Sequence, residues 1–102
     1  AYMQSKILDQ TESNSRLSLA NQIMEEGVKY CSSLQFKEAL QYLQEALKIY
    51  RELEHAQGES KALGNLGNVY YTAGDYVKAI EYFQQRLAIA HQLQDRRNQG
   101  QT

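Results

Sequence analysis

Apolar side chains recur along this chain in steps of three and four. They fall at Phe36, Ala39, Leu40, Leu43, Ala46, Leu47 and Tyr50, and again at Tyr76, Ala79, Ile80, Phe83, Leu87 and Ala90. That period lays each set along one broad stripe of an α-helix, with Gln, Glu and Lys on the opposite side. A shorter stripe precedes each: Ile23, Gly27 and Tyr30, then Leu63, Leu66, Gly67 and Tyr70. These predict helices near residues 17–33 and 60–73. Tight turns are expected at Leu34–Gln35 and Gly74–Asp75, with Gln57–Gly58 linking one helix pair to the next. Gly74 suits the left-handed position that ends a helix, and the Asp75 carboxylate can accept the free amides that open the following one.

The two stripes are copies. Shifted by 40 positions, FKEALQYLQEALKIYREL (36–53) falls on YVKAIEYFQQRLAIAHQL (76–93). Ala39 meets Ala79, Tyr42 meets Tyr82, Leu47 meets Leu87, Ile49 meets Ile89 and Leu53 meets Leu93. Upstream, Gly27 meets Gly67, Tyr30 meets Tyr70 and Ile23 meets Leu63. The coincidences fall mostly on apolar and small positions, as a repeated buried face requires. Neither helix pair can bury its stripe alone, whereas stacking the pairs side by side buries both. The expectation is therefore an all-α, right-handed superhelical solenoid of antiparallel helix pairs. It reassigns GNLGNVYYTAGDY (64–76), which in isolation suggests a phosphate-binding loop. That chemistry needs a strand before the glycines, and here they sit in a helix and its terminal turn.

Composition agrees. Proline is absent, and 42% apolar with 23% charged residues is ordinary for a globular chain. A net charge of −1 leaves no electrostatic footprint for nucleic acid, and no apolar run is long enough to span a bilayer. One cysteine, Cys31, excludes an internal disulfide framework and fits a reducing, cytoplasmic compartment. Cys31, His55 and His91 have no metal-ligand spacing and no accompanying acid in triad order, so no catalytic residue, metal or cofactor is expected.

Leu63, Leu66–Gly67, Tyr70, Gly74–Asp75–Tyr76, Ala79 and Phe83 stand at the spacings of the tetratricopeptide repeat, and the second unit resembles that family closely. The first unit is similar to a degenerate copy. It keeps Ile23, Gly27, Tyr30, Phe36, Ala39, Leu43 and Ala46 but has Glu26 where the pattern has leucine. The forty-residue period, longer than the usual 34, resembles the repeats of kinesin light chain, the Pins/LGN polarity scaffolds and many bacterial, notably cyanobacterial, arrays. The closing proline of the family is missing. The small residue near the end of the second helix is Ala46 in one unit but Arg86 in the other.

The resemblance implies a concave face lined by Asn21, Met24, Val28 and Cys31, then Lys61, Gly64, Asn65, Asn68, Tyr71 and Thr72. Asn65 and Asn68 are the sharpest candidates, because an amide both donates to and accepts from an extended peptide backbone. Lys61, Tyr71 and Thr72 flank them, and the Pins/LGN-like phrase implies that Arg86 meets acidic peptide groups. The carboxylate-clamp version of the family wants a lysine where Gly64 stands, which argues against it. For each residue the plainer alternative is a solvated helix surface, or for Arg86 a salt bridge to Glu81 or Asp95. Gly27, Tyr30, Ala39, Gly67, Tyr70, Gly74, Asp75 and Ala79 carry structure: Gly27 and Gly67 bring paired helices close, and the tyrosines pack.

Residues 1–17 form an N-terminal segment, with a short helix, a cap and a linker as alternatives. Units follow at 18–57 and 58–97, and 98–102 read as the opening of a further repeat, which suggests a piece of a longer array. The function so implied is a non-catalytic scaffold binding a protein or peptide partner on its concave face, without nucleic acid or membrane. The alternative is a self-associating module that dimerises or swaps helices through exposed end-helix surfaces.

Overall fold

The computed structural model describes the backbone of residues 2–100 and the side chains of residues 11–96. Four helices make up the described backbone: α1 (Tyr2–Ser32), α2 (Phe36–Glu52), α3 (Ala56–Ala73) and α4 (Tyr76–Gly100). Each packs on the next in sequence, α1 also touches α3, and the fold is an all-α helical repeat.

Two features differ from the sequence-based expectation. The chain enters α1 at Tyr2 and runs unbroken to Ser32, since nothing between them breaks a helix. The side chains of Tyr2, Met3 and Ile7 lie outside the described residues. The link between units is Leu53–His55, not Gln57–Gly58. His55 caps α3, its Nδ1 accepting the amide of Gly58 at 2.9 Å, and Glu54 takes the left-handed conformation at φ 54°. Gly58 lies inside the first turns of α3. It is there for space, because a Cβ would stand 2.2 Å from Cδ1 of Tyr50 on α2.

The other turns share one mechanism. At Gly74 (φ 92°) the Asp75 amide donates back to the carbonyl of Tyr70 at 2.8 Å. Forty residues earlier, Leu34 holds the same left-handed conformation (φ 63°) and the Gln35 amide donates to Tyr30 at 2.9 Å. Asp75 Oδ1 then accepts the amide of Lys78 at 3.2 Å, opening α4.

Within each pair the glycines and aromatics repeat their geometry. Added Cβ atoms would stand 2.7 Å from Leu43 at Gly27 and 2.6 Å from Phe83 at Gly67. Tyr30 stacks on Tyr42 at 5.2 Å, and Tyr70 on Tyr82 at 5.5 Å. The core lies where three helices meet. Ala20, Ala39, Leu43, Ala46, Leu47, Ile49, Tyr50, Ala62, Leu63, Leu66 and Val69 form one buried cluster. Beyond α3 the burial fades: of the side chains described on α4, only Ala79 is fully buried.

Candidate functional site

On α3, Asn65, Asn68 and Thr72 step by three and four, so they share one helix face. On α1, Val28 and Cys31 do the same. The two flanks border a cleft of about 340 Å³, closed at one end by Ser32 and Leu34 and floored by Leu43. Met24, Glu25 and Lys29 continue it past Asn65 and Val28. The result is a groove between α1 and α3, with Met24, Val28 and Cys31 as apolar contacts on the α1 side beside the charged Glu25 and Lys29, and two amides and a hydroxyl along the α3 side. Asn65 is half-buried and Asn68 exposed, so both amides are within reach of a ligand.

The remaining candidates stand elsewhere. Lys61 is exposed and does not border the groove. Tyr71 packs edge-on against Tyr76 at the α3–α4 corner, with ring centroids 5.3 Å apart. The Arg86 side chain lies over Gly64, whose added Cβ would meet Nη1 at 2.9 Å, and borders a small apolar hollow with Phe83, Leu87 and Ala90. Among the described residues no carboxylate pairs with it, neither Glu81 nor Asp95. Asn21, though exposed, is engaged by a neighbouring helix, its Oδ1 accepting the hydroxyl of Tyr50.

Sequence reasoning missed Leu34, which borders one end of the groove. Its one signal was the forty-residue match to Gly74, which marks the position as a helix-ending turn that exposes the side chain. Leu34 is 65% exposed.

Chemically the groove offers hydrogen bonds and apolar contact. Burial pushes the Cys31 thiol above its ordinary range, so it stays protonated and weakly nucleophilic near neutral pH. Among the described residues, no group of three or more His, Cys, Asp or Glu side chains could hold a metal ion. None of the described helices is long and apolar enough to cross a membrane. A larger cleft of about 420 Å³ opens between the Leu53–His55 turn and α4, and two of its charges are engaged with each other, Arg51 Nε holding Glu59 at 3.2 Å.

The family model described as tetratricopeptide repeat matches residues 27–92, more than half of the chain. Among curated proteins, a stretch of 54 residues is 33% identical to tetratricopeptide repeat protein 29 of Trypanosoma brucei brucei (strain 927/4 GUTat10.1). That stretch is 53% of this chain and spans 11% of the relative's length. No solved structure matches the chain.

Proposed function

The chain belongs to the tetratricopeptide-repeat family, and on that premise we propose that it is a non-catalytic docking scaffold whose α1–α3 groove receives an extended segment of a partner protein. The observation that carries this reading is the placing of Asn65, Asn68 and Thr72 along one wall, opposite the apolar Val28 and Cys31. The amides hold the ligand's backbone with little regard for its sequence, and the apolar wall selects aliphatic side chains at alternate positions. Lys61 and Arg86 do not line this cleft and meet parts of a partner that overhang it. A reducing, cytoplasmic setting suits the unpaired Cys31.

Cys31 supplies the test. Peptides selected from a random library on the full chain are expected to slow alkylation of Cys31. They are also expected to lose about three- to tenfold in affinity for Asn65→Ala or Asn68→Ala, the worth of one hydrogen bond. Binders that leave the thiol rate and both variants unchanged would sink the groove reading.

A second reading, self-association, draws support from α4. Leu87 is 57% exposed, whereas Leu47, its counterpart in the first unit, is 6% exposed. A face that is core in one unit and bare in the next is suited to a further helix.

A further inference from the structure

The forty-residue register lets every face of the two units be compared. Toward α2, α3 turns Gly58, Ala62, Leu66 and Val69: Gly58 meets the Tyr50 ring, and spacings of four, four and three keep the others on that face. All four are buried. Their counterparts on α1 are Ser18, Gln22, Glu26 and Lys29, all exposed. The receiving side of α2 includes Ala46, Leu47 and Tyr50, all buried, and its counterparts on α4 are Arg86, Leu87 and Ala90, all exposed. The outer faces of α1 and α4 are thus the two halves of an interface that the molecule already makes once, internally, between α3 and α2.

The halves depart from the repeat with opposite charge. Glu26 stands in place of Leu66, and Arg86 in place of Ala46, two residues of the same buried cluster. Arg86 alone in such an interface would be buried without a partner, and Glu26, which has only Lys29 of its own helix beside it, supplies one. Neither is committed to a strong partner. The Arg86 side chain lies over Gly64 but holds no carboxylate among the described residues, and Glu26 holds only Lys29 on its own helix at 3.3 Å, an exposed pair worth little.

We propose that a second copy of this chain stacks its α1 on α4, in the register that α3 takes on α2, with Glu26 of the incoming copy meeting Arg86. This rests on the self-association reading and assigns it a register. Ala90 then faces Ser18 of the second copy, as Tyr50 faces Gly58, and Leu87 lies beside Gln22. The two halves differ, so the contact is head-to-tail and can extend beyond a dimer. With one half largely polar, the association is reversible and weakened by salt.

Sedimentation of the full chain across a concentration series tests this. Wild-type species are expected to grow with concentration, less so at high salt. Arg86→Glu and Glu26→Arg, each an exposed substitution, are expected to weaken association at least about tenfold by setting like charges together. The double variant, or a mixture of the two singles, is expected to restore it. Association that ignores both single reversals overturns this register while leaving self-association standing. A wild-type chain that is monomeric at every concentration overturns both.

Discussion

The ring of Tyr50 on α2 rests against Gly58 on α3 so closely that a single added methyl would come within 2.2 Å of it. Tyr50 is fully buried and its hydroxyl is held by Asn21 on α1, so the ring has nowhere to move. Gly58→Ala is therefore expected to cost about 1–3 kcal/mol of stability, the usual penalty of overpacking. Gly67→Ala also crowds a ring, that of Phe83, but Phe83 is half-buried on the open side of α4 and can turn outward. Thermal melts should rank Gly58→Ala as the more damaging, and the reverse order would contradict this packing.

Leu47 and Leu87 occupy the same repeat position in different surroundings. Leu47→Ala removes core volume and is expected to cost about 2–5 kcal/mol, whereas an exposed Leu87→Ala should stay within about 0.5 kcal/mol in dilute monomer. Denaturant titration of both variants measures the contrast.

Burial, and secondarily the charge of Glu25, push the Tyr50 hydroxyl above its ordinary value of 10.0. A group whose pKa is raised by folding stabilises fully below its unfolded value and loses that contribution as pH rises through the folded one. The wild-type chain should therefore lose stability above about pH 10 more steeply than Tyr50→Phe, which has no proton there to lose. Urea midpoints measured from neutral to strongly alkaline pH compare the two slopes.

Glu54 is exposed and holds a left-handed backbone at φ 54° in the link between units. A side chain in that conformation costs about 1 kcal/mol, which glycine avoids. Glu54→Gly is expected to raise stability by a few tenths to about 1 kcal/mol, read as a higher melting temperature.

Most of the architecture was legible in the sequence because the same side chains return at the same offset. Gly27 and Gly67 with their facing Leu43 and Phe83, and the tyrosine stacks, declare the helix pairs. The link between units was not legible, because Gly58 resembles a turn residue when its purpose is to admit Tyr50 from another helix. Asn65, Asn68 and Thr72 could be placed together because they share one helix face. Arg86 could not be separated from them by spacing. Its position depends on how α4 crosses α3, which brings the guanidinium over Gly64.

Tyr50 touches three helices at once: it grows from α2, donates its hydroxyl to Asn21 of α1 and covers Gly58 of α3. Melting of α3 would uncover the same side chain that ties α1 to α2, so Tyr50 couples the two units within their shared core. Its counterpart on α4 is Ala90, which has neither ring nor hydroxyl. Unfolding should accordingly begin at α4 and meet its first real resistance at Tyr50, giving the stack a soft end and a firm one.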